Sequence, residues 1–360
     1  MIRVLHVISA PAAGGAETFV RDLAIAQKAA GALPHIAFLE RAANGGRDPA
    51  FERDYLRSLE EAGIAYHFIG HECRRNPLLG MIRVARTCRE HAITHYHAHL
   101  LTGLLFGAFL RIPRLFTEHS GTIRGAPLVR RLCNAFVEQY IAISRTCATA
   151  LESVVHKVPV VIMNAIDLSR IDRDAAPSRR TVPKLLSVGR ISEPKNYPLL
   201  IEALAELEPR GVDYSLDLAG DGSPDAISSL RALAEARGVD HRIRFLGNRS
   251  DIAVLMAQSD LLVMSSRREG LPIVLIEAVA SGLPFVSTDV GGCREIAAMT
   301  GAGIVVEPGD ARALAEAIHT LLANPSQRDA MRAAAVANAT RFSIEAAARA
   351  HLDLYASTGR

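Results

Sequence analysis

Short apolar runs alternate with helix-patterned stretches through most of this chain, and the alternation stops once and then restarts. Strand-like runs such as RVLHVIS, HIAFLE and QYIAIS are separated by stretches such as residues 16–30, which have helical patterning. The same alternation resumes at KLLSVGRI, from residue 184. Because strands separated by helices build parallel sheets with helices on both faces, the sequence predicts an α/β protein with two tandem, doubly wound, Rossmann-like domains facing a central cleft.

The interruption, DLSRIDRDAAPSRRTVP, is polar, charged and proline-containing, as linkers between domains commonly are. We therefore predict a first domain over 1–166, a linker over 167–183 and a second domain over 184–342. The alanine-rich tail, 343–360, is predicted to form a helix that packs back on the first domain, with Ser343 as its N-cap. Ligands of such sheets bind at the carboxyl ends of the strands, so the candidate site is expected there.

Composition narrows the classes of protein that the chain can belong to. There is no run of about eighteen apolar residues, so no membrane-spanning helix is predicted. The start, MIRVLHVIS, is typical of a first strand and not of a signal peptide. The five cysteines never show CxxC spacing, which indicates free thiols in a reducing cytoplasm. Residues 1–180 carry a net charge of +7 and residues 181–360 a net charge of −4, so the first half could face an anionic surface.

Two glutamates, Glu269 and Glu277, bracket an almost wholly apolar run, EGLPIVLIEA. Pro272 suits the first position of a helix, so a helix is predicted over 272–281. Its N-terminus follows Gly270, where free backbone N–H groups can bind an anion. A carboxylate among apolar residues needs hydrogen-bond donors. The second glutamate is therefore predicted to hold a sugar diol, with a loop cap or an arginine pair as the alternative.

A second element, SVGRISEPKN, ends a predicted strand at Gly189, and Arg190 and Lys195 follow it. Two cations at the carboxyl edge of a sheet are well placed to bind a diphosphate, although most such pairs are ordinary surface charge. After the first strand, APAAGGAET contains Gly14 and Gly15, which allow a tight loop close to a ligand. This loop matches neither the dinucleotide-binding motif nor the P-loop.

The segment THYHAHLL places His95, His97 and His99 at alternate positions, so on a strand they share one face. Together with His119 they could bind zinc. The alternative is that they act as neutral hydrogen-bonding groups. No neighbouring cysteine or aspartate completes a zinc set, so no metal ligand is predicted.

These motifs, taken together along nearly the whole chain, resemble the retaining nucleotide-sugar glycosyltransferases of family 4, which have the GT-B fold. EGLPIVLIEAVASGLPFVSTDVGG-REI resembles the E-x7-E signature of the family, and VGRI-x4-KN its phosphate-binding turn. GGAE, HAH and TEHS resemble its first-domain glycine and histidine motifs. MNAIDL departs from the usual N-G-V-D segment, because Ala165 replaces the glycine.

The resemblance implies a role for each matching position. Arg190 and Lys195 would hold the donor diphosphate and stabilise its charge as it leaves. Glu269 would touch the donor sugar, and Glu277 would accept hydrogen bonds from the ribose hydroxyls. His119 would contact the donor sugar from the other domain. The remaining positions of the implied nucleotide-sugar site are Gly14 and Gly15 over the phosphates, Gly270 and Leu271 at the helix N-terminus, and Asn248 near the base.

The resemblance also implies the reaction and the partners. A hexose or N-acetylhexosamine would move from a UDP- or GDP-sugar to a glycan or lipid-linked acceptor, with retention, without a metal or other cofactor, and without a nucleic-acid partner. A nucleotide-sugar 2-epimerase and a catalytically idle GT-B binding domain are the alternatives.

Two basic segments, 73–90 and 123–136, could bind an anionic membrane, or else they are ordinary amphipathic helices. The resemblance and these segments predict an enzyme of bacterial-type polysaccharide or glycolipid synthesis. It would be cytoplasmic, with a peripheral position on the inner face of the cell membrane.

Overall fold

The structure is a computed structural model that describes residues 1–119, 134–171 and 181–358. The chain divides into two compact units. We call Met1–Asp167 together with Ser343–Arg360 the first domain, and Leu168–Phe342 the second domain. Most of the predicted linker (172–180) and most of the second basic segment (123–133) lie outside the described residues.

The first domain is built on a parallel sheet that has seven strands within the described residues. Its strand order, β3-β2-β1-β4-β5-β6-β7, reverses direction beside β1, as in doubly wound folds. The strands are β1 (Arg3–Ile8), β2 (Leu33–Phe38), β3 (Ala65–Phe68), β4 (His95–Ala98), β5 (Arg114–Glu118), β6 (Gln139–Ala142) and β7 (Val160–Val161). The helices are α1 (Gly15–Ala29), α2 (Pro49–Glu61), α3 (Pro77–Glu90), α4 (Leu101–Phe106), α5 (Arg145–Glu152) and α13 (Ile344–Thr358).

Helix α13, at the end of the chain, belongs to the first domain. Ser343 caps it, since its Oγ accepts a hydrogen bond from the Ala346 N–H, and the Ile344 N–H bonds the carbonyl of Ile166. Apolar side chains of α13, among them Ala348, pack in one core with Phe19 and other residues of α1. The chain therefore leaves the first domain and returns to complete it.

The second domain is built on a parallel sheet with six strands within the described residues, in the order β10-β9-β8-β11-β12-β13. The strands are β8 (Lys184–Val188), β9 (Ser215–Ala219), β10 (Ile243–Gly247), β11 (Leu261–Met264), β12 (Phe285–Thr288) and β13 (Gly303–Val306). The helices are α6 (Tyr197–Leu207), α7 (Pro224–Ala236), α8 (Ile252–Ala257), α9 (Ile273–Ala280), α10 (Cys293–Thr300), α11 (Ala311–Ala323) and α12 (Pro325–Asn338).

Apolar side chains at helical spacing hold the helices of the second domain on its sheet. Leu200, Leu204 and Leu207 of α6 are fully buried in one cluster with Leu314 and Ile318 of α11. Burying each such side chain contributes about 1.5–3 kcal/mol. The predicted pair of doubly wound α/β domains is confirmed, because alternation with helices, and not strand length, encodes this topology.

The predicted start of the helix at EGLPIVLIEA is wrong by one residue. Pro272 is the N-cap, with extended backbone (φ −73°, ψ 107°), and α9 begins at Ile273. The last helical residue is Ala280, and Gly282 follows with φ +66°, a left-handed conformation that favours glycine. The first peptide N–H of the helix therefore comes from an isoleucine, whereas the proline at the N-cap contributes none.

The composition also led to expectations about membrane-spanning helices and about cysteines. Among the described residues, no helix has both the length and the apolar character needed to cross a membrane. Four cysteines, Cys73, Cys88, Cys147 and Cys293, are buried free thiols, and Cys133 lies outside the described residues.

Candidate nucleotide-sugar site

Glycines end three neighbouring strands at the carboxyl edge of the second sheet. Gly189 follows β8, Gly220 follows β9, and Gly247 is the last residue of β10. The Gly220 N–H donates to the carbonyl of Gly247 at 2.8 Å. A Cβ on Gly220 would lie 1.9 Å from the carbonyl oxygen of Gly189, and its φ of +154° also favours glycine. The three turns therefore pack backbone against backbone at this edge of the sheet.

The turn after β8 carries the two predicted cations. Arg190 is exposed, and among the described residues no ion pair with it occurs. Lys195 ends a 3-10 turn, and its Nζ lies 2.6 Å from Oε1 of Glu269. The next residue, Asn196, adopts a left-handed conformation (φ +49°), which asparagine tolerates better than most residues. Ser265 Oγ, close to the carbonyls of both Lys195 and Asn196, holds this turn against the loop after β11.

Glu269 is placed by two donors. Besides Lys195, the Ser266 hydroxyl donates to Glu269 Oε1 at 2.7 Å. The side chains of Lys195 and Glu269 are 26% and 13% exposed, so this ion pair is only partly screened by water. An arriving diphosphate could share the ammonium group, which stays at this edge because the carboxylate holds it there.

The loop that carries Glu269 packs against the turn after β12. The residues of this turn were not among the predicted site residues. Gly291 has φ +56°, and a Cβ there would lie 2.2 Å from the carbonyl oxygen of Gly270. The Gly292 N–H donates to that same carbonyl at 2.8 Å, and the Thr288 hydroxyl donates to the carbonyl of Ser266 at 2.6 Å. The sequence signal for this turn is the glycine pair in DVGGCREI.

The remaining predicted positions of the second domain lie around the same edge. Gly270 and Leu271 are buried immediately before α9, and Pro272 supplies no side-chain cap to the helix. The first peptide N–H groups of an α-helix have no acceptor within the helix, so this end can bind an anion. Glu277 lies in the second turn of α9 and is half-buried. Asn248, after Gly247, is exposed.

Two arginines that sequence reasoning missed lie beside this cation set. Arg268 Nη2 lies 2.7 Å from Oε2 of Glu193, and Arg267 Nη1 lies 3.5 Å from Oε1 of the same glutamate. Both arginine side chains are more than half exposed, and Glu193 begins the 3-10 turn that ends at Lys195. The signal was present as two consecutive arginines directly before Glu269 in SSRREG.

A cavity of about 410 Å³ adjoins this region, with Glu193 and Arg267 in its lining. Its lining is largely apolar and includes Ile191, Tyr197 and Leu230. None of the predicted binding residues lines it. The candidate site is therefore the strand-end edge and not this cavity.

In the first domain the glycine loop after β1 leads into α1. Gly14 is the N-cap, and Gly15 is the first helical residue and is exposed. Glu17, in the first turn, accepts a hydrogen bond from Ser9 at 2.6 Å and pairs with Arg47 at 3.2 Å. The loop is thus closed by a carboxylate next to the helix N-terminus, a favourable position for negative charge.

A chain of buried imidazoles leads to His119, which follows the carboxyl end of β5. His119 Nε2 lies 3.0 Å from His99 Nδ1, and His99 Nε2 lies 3.0 Å from His6 Nδ1. His6 Nε2 lies 2.9 Å from the Gln27 side-chain oxygen. With the amide oxygen assigned to the side that faces His6, the Gln27 amide nitrogen lies 3.5 Å from the Tyr355 hydroxyl of α13.

The direction of each hydrogen bond in this chain follows from its last acceptor. The Gln27 oxygen can only accept, so His6 Nε2 carries a proton and His6 Nδ1 accepts from His99. His99 Nδ1 must then accept from His119 Nε2–H. The proton on Nε2 leaves His119 Nδ1 with a lone pair, and this buried atom has no hydrogen-bond partner among the described residues. His119 can therefore accept one hydrogen bond from a ligand hydroxyl.

Burial keeps these rings neutral. It lowers the pKa of His6 to about 4 and the pKa of His119 to about 3, from an ordinary value of 6.5. Burial first, and neighbouring imidazoles second, also hold the pKa values of His97 and His99 well below 6.5. The fixed tautomers are therefore those of neutral imidazoles at neutral pH.

The hydrogen bonds around these histidines favour the neutral alternative over a zinc site. His95 bonds Thr94 and the carbonyl of Tyr355 through its two nitrogens. His97 bonds the Tyr355 hydroxyl and Thr117, each at 2.7 Å. Ligand atoms of His6, His97 and His99 lie within 4.8 Å of one another, but both nitrogens of each ring are already hydrogen-bonded.

Sequence reasoning also missed His6 and Gln27. Their signals were a histidine inside the apolar run RVLHVIS and a glutamine on the buried face of α1. Parallel pairing of β1 with β4 sets His6 opposite His97, a register that no local pattern specifies.

Comparison with known proteins gives a consistent assignment for each domain. The model of "Glycosyltransferase Family 4" matches residues 13–170, and that of "Glycosyl transferases group 1" matches residues 169–337. The chain spans about half the length of the first curated relatives it matches, among them the lipopolysaccharide core biosynthesis glycosyltransferase LpsE of Rhizobium meliloti. That protein is 37% identical over 54% of each chain.

Two further matches cover most of the chain. The putative glycosyltransferase EpsF of Bacillus subtilis is 29% identical over 80% of this chain and 79% of its own. The crystal structure of Anabaena HepE in complex with UDP-glucose has a TM-score of 0.82 at 23% identity, covering 99% of this chain and all of the other. The fold is therefore shared over the whole length.

Proposed function

The chain belongs to the GT-B glycosyltransferases of the family 4 type, and we propose that it is a retaining enzyme of this kind. It transfers a hexose or N-acetylhexosamine from a nucleotide-diphosphate sugar to a glycan or lipid-linked acceptor. The family matches do not favour the 2-epimerase or the idle binding domain.

The observation that carries this proposal is the Lys195–Glu269 ion pair, which joins the turn after Arg190 to the loop that leads into α9. Two cations and a helix N-terminus can balance the charge of a diphosphate, and the glycine turns let it approach the backbone. Glu277, further along α9, would accept hydrogen bonds from the ribose hydroxyls, and Asn248 would lie near the base. HepE holds UDP-glucose in its solved structure, which makes UDP-sugars the first donors to test, before GDP-sugars.

In the proposed reaction the acceptor hydroxyl attacks the anomeric carbon on the face from which the diphosphate leaves. The carbon–oxygen bond to the phosphate breaks, the new glycosidic bond forms, and the acceptor proton passes to the leaving phosphate. Arg190 and Lys195 stabilise the charge that develops on the diphosphate, without a metal ion. This same-face route needs no covalent enzyme intermediate, so Glu269 is not assigned as a nucleophile.

His119 would position the donor sugar by accepting a hydrogen bond from one of its hydroxyls. The lone pair on Nδ1 suits this role, since the imidazole chain fixes its direction and burial keeps the ring neutral. Gly14 and Gly15 would line the phosphates in the same complex.

We also propose that α3 docks the protein on an anionic lipid surface, where it would meet a lipid-linked acceptor. Leu78 and Ile82, one turn apart, are 67% and 66% exposed, whereas Val84 is buried against the domain. Arg75, before the helix, and Arg89, in its last turn, are exposed as well. Apolar side chains beside arginines are typical of helices that lie in a membrane interface. Sedimentation with anionic liposomes tests this, and no binding at low salt would refute it.

The experiment that tests the nucleotide site is a thermal-shift screen of UDP, GDP, ADP and their sugars, repeated with EDTA. A ligand that binds only the folded state raises the melting temperature with its concentration relative to Kd. We expect one nucleotide class to stand out, with EDTA making no difference. UDP should shift the wild type more than 2′-deoxy-UDP does, and Glu277→Ala should reduce this preference about tenfold or more.

The matched control is Glu316→Ala, an exposed glutamate of α11 that is not among the residues of the proposed site. It should leave the nucleotide response unchanged. If no nucleotide raises the melting temperature of the wild type, the transferase proposal is refuted. A response that Glu277→Ala does not weaken would refute the ribose assignment alone.

A further inference from the structure

Three histidines converge on the first domain, away from the imidazole chain that ends at His119. His35 lies on β2, His67 on the edge strand β3, and His91 is the C-cap of α3. Pairing sets Ala37 opposite His67, so the two strand histidines are diagonal neighbours on one face. The ring centroids of His35 and His67 are 5.6 Å apart, and that of His91 lies 4.6 Å from the first and 4.8 Å from the second. Ligand nitrogens of all three lie within 4.8 Å of one another.

Unlike the buried imidazoles, these three rings have most of their nitrogens unused. The hydrogen bond between His35 Nδ1 and His67 Nε2 is long, at 3.3 Å, and within the described part of the chain no other hydrogen bond to a ring nitrogen of the three is present. His91 uses only its backbone, which bonds Thr87 and Arg3. The rings are half-buried, so an ion from solution can reach them.

The charge state of the rings suits metal binding. Burial, then His91, His67 and Arg3, lower the pKa of His35 to about 4. Burial and His91 also lower the pKa of His67, with Glu90 opposing them. Neutral imidazoles with free lone pairs are the form in which histidine binds a metal.

We propose that His35, His67 and His91 bind one divalent transition-metal ion of the zinc, cobalt, nickel or copper class, with water at a fourth position. Three nitrogens at 2.0–2.1 Å from a tetrahedral ion lie about 3.4 Å apart, with ring centres about 5 Å apart. The observed ring separations already bracket that spacing. Binding an ion would require the rings to rotate, so that nitrogens now within 4.8 Å of one another approach that spacing.

The ion would act on structure and not on sugar transfer. His91 ends the helix that leads into β4, and Ala92 after it is held in a left-handed turn (φ +48°), which fixes the position of the third ligand. Arg3 begins β1, so the cluster lies toward the amino ends of the strands, whereas His119 follows the carboxyl end of β5. The metal would tie β3, an edge strand, to β2 and to the α3–β4 turn.

The test uses the full, untagged chain after EDTA treatment, titrated with Co²⁺ by visible absorption and with Zn²⁺ by calorimetry. We expect one ion per chain and the intense visible bands of four-coordinate Co²⁺. His67→Ala and His91→Gln should each weaken Zn²⁺ binding at least tenfold and abolish the metal-dependent rise in melting temperature. His71→Ala, which removes an exposed histidine of the same domain, should change neither.

Three outcomes would overturn the proposal. The first is the absence of saturable binding to the wild type. The second is binding that His67→Ala and His91→Gln leave unchanged. The third is binding that His97→Gln removes instead, which would place the ion among the buried imidazoles. Melting temperatures of the variants in EDTA, matched to that of the wild type, establish that a lost response is not lost folding.

Discussion

At the carboxyl edge of the second sheet the candidate site is built on an ion pair, whereas at that of the first sheet it is built on a chain of neutral rings. Lys195 and Glu269 form a partly exposed ion pair beside the exposed Arg190. His119 is instead the last member of a buried chain of neutral imidazoles that runs through His99 to His6. The same topology thus supports two different kinds of edge.

The difference shows how each edge can use binding energy. A cation that is already paired, such as Lys195, stays in place without a ligand and can share its charge with an arriving diphosphate. A neutral ring has little affinity of its own, but a fixed lone pair selects the orientation of a hydroxyl. We therefore expect changes in the second domain to weaken donor binding, and changes in the imidazole chain to lower turnover.

Lys195→Ala should break the charged edge and have the largest effect. It removes one cation from the diphosphate and leaves the Glu269 carboxylate beside it without its strongest partner. We expect kcat/KM to fall about 10²–10³-fold and the nucleotide response in thermal shift to be lost. Steady-state kinetics with the donor found in the screen measure the first effect.

Two variants sharpen this result. Adding Glu269→Gln to Lys195→Ala should recover part of the nucleotide affinity, because the unpaired carboxylate is then gone. Arg237→Ala, which breaks an exposed pair with Glu202 in the same domain, should have no effect. Full nucleotide affinity in Lys195→Ala would contradict the diphosphate assignment.

The second-largest effect is expected from acid, which should destabilise the first domain at a higher pH than the second. The folded pKa values of His6 and His351 are lowered to about 4, so between the unfolded value of 6.5 and pH 4 the unfolded chain binds protons that the folded first domain does not. Stability is therefore lost as pH falls through that window, by about 2 kcal/mol at pH 5 for each of these histidines.

In the second domain the corresponding buried group is Asp217. Burial raises the pKa of its carboxyl, but hydrogen bonds from Arg244 and Lys184 outweigh burial and leave it below 3.8. Its contribution to stability is present above that value and is lost only as pH falls further. Hydrogen exchange after incubation at pH 7, 6 and 5 should thus show opening of first-domain peptides first, and earlier opening of the second domain would disprove this account.

The smallest effect is expected from the imidazole chain itself. His99→Leu removes the acceptor that holds the proton on His119 Nε2, so kcat should fall about tenfold while the nucleotide response stays. His99→Gln can accept from His119 and donate to His6, and should retain activity. In a His119→Ala background the leucine variant should cost nothing more, whereas additive losses would show that His99 acts only through packing.

Some residues of the candidate site could be predicted from the sequence and others could not, depending on whether they lie in a local motif. The sequence predicted Glu269, Lys195 and the turn at Gly189, because each lies in a short motif that follows a strand. Arg267 and Arg268 were overlooked since two arginines in a loop have no distinctive pattern. His6 and Gln27 were out of reach, because their roles depend on the pairing of β1 with β4 and on the packing of α1.

The sequence by itself determined the two doubly wound sheets and the strand ends that carry the motifs, because apolar periodicity and glycine turns act over a few residues. Only the tertiary structure decided which ring nitrogens are hydrogen-bonded. His97 and His35 both lie in strand-like runs of the sequence. They differ because burial and long-range pairing give the ring of His97 partners for both nitrogens and leave that of His35 with a single long hydrogen bond. Desolvation then keeps the buried rings neutral, an effect that no local pattern encodes.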